Sequence, residues 1–308
     1  MRAEGVGPVA EHARIARRLR EAGVTSADAE AWAMLETALD ATRLRLRTEP
    51  DLRVVPAARR RIDAWIAGRT HGVPLQHLLG VAWFWELPLA AGPGALAPRP
   101  ETEALVAAAL ASVRDRAAPL VLDVGTGSGA VAIAIATERP DAEVHGSDVE
   151  PRALELAARN VRRHAPAVRL HRADLLRDAT LHALLPRLDL LIANLPYLPD
   201  ADRDALPREV RHDPPRALFG GADGLEPFRA LWRQASTGDG ATRWAPSAHG
   251  WFELDPRNVQ EAAREVRSSD PARAVTVHPD LAGRPRFLHV APADGARPSP
   301  RSAPPPPR

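Results

Sequence analysis

The segment Pro119-Leu-Val-Leu-Asp123, continued by Val-Gly-Thr-Gly-Ser-Gly129, constrains this chain more than any other. A short apolar run, then glycine at positions 125, 127 and 129, then the apolar stretch that opens at Ala130 reads as buried strand, tight turn and helix. Glycines placed this way let the backbone turn sharply and let a ligand come close to it. The helix start behind them offers free N–H groups to an anionic group such as a carboxylate. A strand, a glycine turn and a helix in this order belong to an α/β sheet that binds its ligand at the carboxyl edge.

The chain around it repeats the alternation. Helices are expected over about Thr102–Val113, Gly129–Thr137, Pro151–Arg163 and Leu225–Gln234. Strands are expected near Ala142–Gly146, Val168–His171, Asp189–Ala193, Gly250–Leu254, Ala274–Val277 and Arg286–Val290. Proline at the first turn of the Pro151 helix suits its fixed φ. The fold class is therefore α/β, a doubly wound Rossmann-like sheet over residues 101–290. Ahead of it, residues 1–71 predict a small helical domain with helices near Val9–Ala22, Ser26–Leu39 and Pro56–Ala67, Ser26 serving as an N-cap. Residues 72–100, rich in Pro and Gly around Trp83, Phe84 and Trp85, predict short strands and turns that link the two. The Pro, Ser, Ala and Arg tail over 291–308 buries too little apolar surface to order itself.

Composition excludes several function classes. The chain has 308 residues and no cysteine, so disulfides and cysteine metal sites are ruled out. The isoelectric point of about 10.1 reflects arginine as the sole basic side chain other than histidine, whereas the formal net charge is only +2. Arginine is spread along the whole chain, so no nucleic-acid partner is expected. The N-terminal residues lack the apolar core of a signal peptide and no run is long enough to span a membrane, which predicts a cytoplasmic protein. Among the 11 histidines there is no metal-ligand spacing, so no metal is expected, and His71 and His77 are read as packing or capping residues.

The glycine turn by itself fits two cofactors. Gly125, Gly127 and Ala130 satisfy the nicotinamide fingerprint, and Asp148 closes the next strand where it can reach ribose hydroxyls. Two acidic residues favour S-adenosylmethionine. Asp123 precedes the loop, where a carboxylate suits a cationic ligand better than a pyrophosphate. Asp174 follows the third strand, placed to accept from an adenine amine. Asp123, Gly125, Thr126, Gly127, Gly129, Asp148, Asp174 and Asn194 are the candidate cofactor-binding residues.

A second feature sits after the fourth strand of the sheet, the turn Asn194-Leu195-Pro196-Tyr197. The Asn194 oxygen and a nearby backbone carbonyl can accept both hydrogens of an NH₂ group, Pro196 stiffens the turn and Tyr197 offers a ring face to a planar acceptor. A conjugated nitrogen is a poor nucleophile because its lone pair is delocalised. Two acceptors can aim that lone pair at a methyl group and offset the positive charge that grows as the methyl arrives. Asn194, Pro196 and Tyr197 are the candidate catalytic residues, and Leu195 joins them in substrate binding. Asp213-Pro-Pro-Arg216 has a similar look but lacks the aromatic residue and a clear strand before it.

Together with Gly72-Val-Pro-Leu-Gln-His-Leu-Leu-Gly80, Phe84-Trp-Glu-Leu-Pro88, Pro98-Arg-Pro-Glu-Thr-Glu103 and Glu209-Val-Arg-His-Asp-Pro-Pro-Arg-Ala-Leu218, these motifs make a chain that resembles the HemK-like family of protein-(glutamine-N5) methyltransferases. The resemblance spans roughly residues 10–290. It implies a helical substrate-recognition domain, a β-hairpin linker and a seven-stranded class I methyltransferase domain. It also implies S-adenosylmethionine as cofactor and, as partner, a peptide chain release factor whose Gly-Gly-Gln glutamine is the acceptor; a monomer is expected. Three departures stand out. Leu195 replaces the first Pro of the usual Asn-Pro-Pro-Tyr, Phe252-Glu-Leu-Asp-Pro256 stands where Leu-Glu-Ile-Gly is usual, and residues 236–245 make a longer connection. The competing readings are an adenine-N6 methyltransferase acting on RNA or DNA, a glutamine methyltransferase of a ribosomal protein, an inactive cofactor-binding module and, weakest, a dehydrogenase.

Overall fold

Apolar periodicity builds the N-terminal helices. In the computed structural model, which describes residues 5–236 and 243–292, they are α1 (Pro8–Glu21), α2 (Ala27–Leu39), α3 (Arg43–Thr48), α4 (Pro56–Thr70) and α5 (Leu75–Leu79). Ile15, Leu19, Met34, Leu35, Ile62 and Ile66 meet in one buried cluster, each such side chain contributing on the order of 1.5–3 kcal/mol. Two short helices depart from the sequence expectation. Thr42 caps α3 by accepting from Arg45 N, and α5 fills a stretch read as strand and turn. Pro74 starts α5 and Gly80, left-handed at φ 74°, ends it, so five residues suffice for one turn between two breakers.

The chain divides into two compact units. One takes in the chain up to Ala82 with 91–93 and 206–213; the other takes 83–90, 94–205 and the chain from Pro214 onward. Within the first, Arg69 forms a two-pronged buried pair with Glu30 (2.7 and 3.0 Å) and reaches Glu209 (2.8 Å), so the 206–213 segment is tied to the helices by charge. His71 is the C-cap residue of α4, its Nδ1 2.7 Å from the Ala67 carbonyl, and His77 is buried 3.8 Å from Asp213.

In the linker, β1 (Val81–Phe84) and β2 (Leu87–Ala90) form a two-stranded sheet. Its turn, Trp85-Glu86, holds both residues at positive φ (51° and 60°), the twist a two-residue hairpin demands. Neither is glycine, so the turn needs support. Trp85 N donates to Glu103 (2.9 Å) and Trp85 Nε1 to Glu138 (2.7 Å).

The second unit holds α6 (Pro100–Ser112), β3 (Leu120–Val124), α7 (Ala130–Glu138), β4 (Glu143–Asp148), α8 (Pro151–His164), β5 (Arg169–Arg172), α9 (Ala179–Leu184), β6 (Leu190–Asn194), α10 (Glu226–Ser236), β7 (His249–Glu253), α11 (Val259–Ser269), β8 (Ala274–Pro279) and β9 (Pro285–Ala291). Seven strands make one sheet in the order β5-β4-β3-β6-β7-β9-β8, parallel except for β9. Central strands β3 and β6 are buried on both faces and read as continuous apolar runs; the edges β5 and β8 carry Arg, Thr and His instead. Helices α9 and α11 were not anticipated from the sequence, though α11 buries Val259, Ala262, Ala263 and Val266 at clean helical spacing. No described helix is long and apolar enough to cross a membrane. The expected tail lies outside the described residues from 293 onward, as do 237–242 of the long connection.

Candidate functional site

The chain leaves β3 toward β4 and β5 on one side, then returns to β6 on the other. That reversal opens a crevice at the carboxyl ends of β3 and β6, where open α/β sheets bind ligands. A cavity of about 590 Å³ lies there, a size suited to a small organic cofactor.

The glycine loop forms its floor. Gly125, Gly127 and Gly129 all take positive φ (75°, 56° and 82°), a shape that other residues resist. A Cβ on Gly125 would stand 2.8 Å from Leu195 Cδ2, so loop and clamp turn touch through a glycine. The loop is pinned to the neighbouring strand. Gly125 N and Thr126 N both donate to the Ser147 carbonyl (2.8 Å each), and Gly127 N donates to Asp148 Oδ2 (2.9 Å). Asp148 also accepts from Glu150 N (2.9 Å), and burial raises its carboxyl above the usual range.

The wall brings together Gly125, Gly127, Asp148, Asp174, Asn194, Leu195 and Pro196. Asp174 pairs with Arg177 (2.8 Å) at the exposed rim. Four other residues singled out from the sequence stay behind the wall, each for a physical reason. Asp123 is buried under the loop and accepts from Thr126 Oγ1 (2.6 Å), so these two brace the loop from below rather than face a ligand. Desolvation pushes Asp123 up to about 7. Gly129 abuts Ile133 and Ala157 at the N-cap of α7. Tyr197 packs its half-buried ring against the core, with burial and the nearby Glu253 raising its pKa. The ring read as open to a planar acceptor is thus partly covered by the core and does not line the cavity.

Sequence reasoning missed several wall residues. Glu150, Leu175, Arg216 and Glu226 line the cavity, and Pro214 and Arg216 belong to the Asp213-Pro-Pro-Arg216 segment, which lacks the aromatic residue of the Asn194 turn. Glu150 and Leu175 adjoin Asp148 and Asp174, whereas Arg216 and Glu226 come from segments far along the chain that no local signal ties to the site. Leu175 holds φ 59°, a conformation that costs a non-glycine residue roughly 1–2 kcal/mol. The Gln234 side chain steadies it by accepting from Leu176 N (2.8 Å). The wall carries the carboxylates of Asp148, Glu150, Asp174 and Glu226 against the guanidinium of Arg216, which pairs with Glu150 (2.6 Å). Such a wall attracts a cation and repels a pyrophosphate.

Asn194 ends β6. Its Nδ2 donates to Thr102 Oγ1 (3.1 Å), and Thr102 Oγ1 donates to Glu253 Oε2 (2.8 Å) at the end of β7. Burial lifts Glu253 to about 7, with Arg286 facing it at 3.9 Å. The amide nitrogen is used here, which leaves the Asn194 oxygen for the cavity. Leu195, nearly buried, fills space against Gly125 and joins the core. Asn258 Nδ2 holds the turn by donating to the carbonyls of Tyr197 (3.3 Å) and Asp223 (3.2 Å). Asp255, at the second departure from the family pattern, accepts from Arg257 N (2.8 Å) and closes its turn with a side chain.

Comparisons with known proteins agree with this architecture. The sequence model described as the PrmC N-terminal domain matches residues 12–80, and that described as a methyltransferase domain matches 121–212. The chain is 38% identical over 278 residues to the release factor glutamine methyltransferase of Deinococcus radiodurans, covering 90% of this chain and 96% of the relative. It is 39% identical over 280 residues to that of Mycobacterium leprae, covering 88% and 92%. Among solved structures, the hMettl16 catalytic domain in complex with the MAT2A 3'UTR hairpin 6 superposes with a TM-score of 0.53 at 12% identity, covering 79% of this chain and 84% of that one, a likeness of fold alone.

Proposed function

Because this chain belongs to the release factor glutamine methyltransferase family, we propose that it methylates N5 of the glutamine in the Gly-Gly-Gln motif of a peptide chain release factor. The observation that carries the reading is the Asn194 amide, its nitrogen tied to Thr102 and its oxygen left for a cavity whose floor is the glycine loop. A glutamine amide and an adenine N6 suit such a clamp equally; family membership favours glutamine over the adenine reading.

S-adenosylmethionine fits the cavity. Its sulfonium suits the acidic wall, and Gly125 and Gly127 allow the close backbone approach it needs. Gly125, Gly127, Asp148 and Asp174 would hold it, with Asp123, Thr126 and Gly129 keeping the loop in shape from behind. When bound, the cofactor supplies an electrophilic methyl group. The chain's own work is to orient the acceptor. Asn194 Oδ1 takes one amide hydrogen and a carbonyl of the turn, which Leu195 supplies as well as proline would, takes the other. That aims the nitrogen lone pair and offsets its growing positive charge. Pro196 keeps the turn stiff, and Tyr197 supports it from the core side.

The test is transfer of label from radioactive S-adenosylmethionine to a bacterial release factor. Label is expected on the intact factor and absent when the Gly-Gly-Gln glutamine is changed to alanine. Label that persists after that change overturns the assignment.

A further inference from the structure

An asparagine amide is nearly symmetric in shape but opposite in chemistry at its two ends. Which end faces the cavity decides whether the acceptor nitrogen meets a hydrogen-bond acceptor or another donor. In this fold that choice is made outside the cavity. Thr102 lies in the first turn of α6, 92 residues from Asn194 in sequence, and its hydroxyl has a single hydrogen. That hydrogen goes to Glu253, a group that only accepts while ionised, so the Thr102 oxygen can only accept from Asn194 Nδ2. The remaining surroundings of Glu253 enforce the same direction. The Arg286 guanidinium from β9 faces it at 3.9 Å, itself held by Asp280 (3.1 Å).

We propose that Thr102 and Glu253 are positioning residues that set the Asn194 amide oxygen toward the cavity, through a one-way hydrogen-bond chain from Asn194 to Thr102 to Glu253. The inference rests on the reading of Asn194 as the glutamine clamp. It predicts that the clamp responds to the charge on Glu253. Burial, with repulsion from Glu101 on α6, raises that carboxyl to about 7, against the pull of Thr102, Arg286 and Tyr197. Once protonated, Glu253 can donate to Thr102. The Thr102 hydrogen can then turn to Asn194, and the amide rotates to present its NH₂ to the substrate NH₂.

Thr102→Val keeps the shape of the side chain and removes both donor and acceptor; Thr102→Ser keeps both. With the full chain, S-adenosylmethionine and a release factor, kcat of Thr102→Val is expected to fall on the order of tenfold or more. Cofactor affinity should hold, the melting temperature should fall only as far as the stranded partners require, and Thr102→Ser should recover most of the turnover and stability. The wild-type kcat should decline as pH drops through about 7, a limb that Thr102→Val lacks. Unchanged kcat in Thr102→Val, or a parallel loss of turnover and cofactor affinity, overturns the proposal. A second arm needs no turnover. In protein carrying ¹⁵N-asparagine, the Asn194 side-chain amide resonance should shift in Thr102→Val and titrate near neutral pH in the wild type only. An amide resonance indifferent to Thr102 and to pH overturns the relay. A wild-type chain that leaves the release factor unlabelled defeats the functional reading instead, and the resonance still decides the relay.

Discussion

Asn194 carries two duties through one planar group. Its nitrogen anchors to Thr102, and in the proposed clamp its oxygen serves the cavity that Asn194 lines. Asn194→Ala removes the clamp and leaves the glycine loop, Asp148 and Asp174 in place. Turnover is expected to fall by about 10²–10³, as when one preorganised hydrogen-bonding group is lost from a reaction centre. S-adenosylmethionine affinity, followed by calorimetric titration, should stay nearly unchanged. An equal fall in both would make Asn194 a structural residue of the turn. At Leu195 the replaced proline costs little, because the side chain is absorbed by the core beside Gly125 and leaves the turn carbonyl in place.

At the scale of elements, the site depends on helical residues set behind the cavity wall. Helix α8 buries Ala153, Leu156, Ala157, Asn160 and Val161, a regular apolar stripe broken by one amide. Asn160 is 1% exposed. It accepts from Ala90 N (2.7 Å) and donates to the carbonyls of Ala90 (3.1 Å) and Ser128 (2.9 Å), so it joins β2 to the glycine loop. Asn160→Ala would strand these groups at about 1–3 kcal/mol for each that stays buried and unpaired. A thermal melt should show the loss as a lower midpoint, and cofactor affinity should weaken with it. Retained affinity would mean the loop holds its shape without α8. In α6, Pro100 starts the helix, and Thr102 and Glu103 serve different partners, the Asn194–Glu253 chain and the hairpin turn at Trp85. This gives the Pro98–Glu103 block its structural meaning.

For the whole molecule, two buried carboxyls set a pH dependence. Asp123 and Glu253 are both raised to about 7 by desolvation. A carboxyl whose folded pKa exceeds its unfolded one favours the fold while protonated. Its contribution is complete below the ordinary carboxylate range and is lost as pH rises through about 7. The histidines His145, His171, His249, His278 and His289 are lowered by burial, so their contribution runs the other way, present above their ordinary pKa and lost as pH falls. A Glu253→Gln variant isolates one term. Its melting temperature relative to wild type should rise steadily between about pH 5 and pH 8. A difference that stays constant across that interval would show that Glu253 keeps an ordinary carboxylate pKa in the fold.

What could be read without coordinates was whatever repeats or stays local. The strand–glycine–helix unit, the alternation that builds a doubly wound sheet and the Asn194 turn at a strand end are patterns of neighbouring residues, and backbone sterics make them legible. Helix α11 is equally local, its apolar residues Val259, Ala262, Ala263 and Val266 falling at helical spacing. The tertiary structure alone decided which of these residues line the cavity. Asp123 and Thr126 look like site residues along the chain, yet burial turns them inward, and Tyr197 packs partly against the core, whereas Glu150 and Arg216 reach the wall from separate segments. Thr102 and Glu253 lie 151 residues apart and become partners only when α6 packs beside β7. Direction and burial of a side chain depend on what the rest of the chain places around it, and no local pattern encodes that.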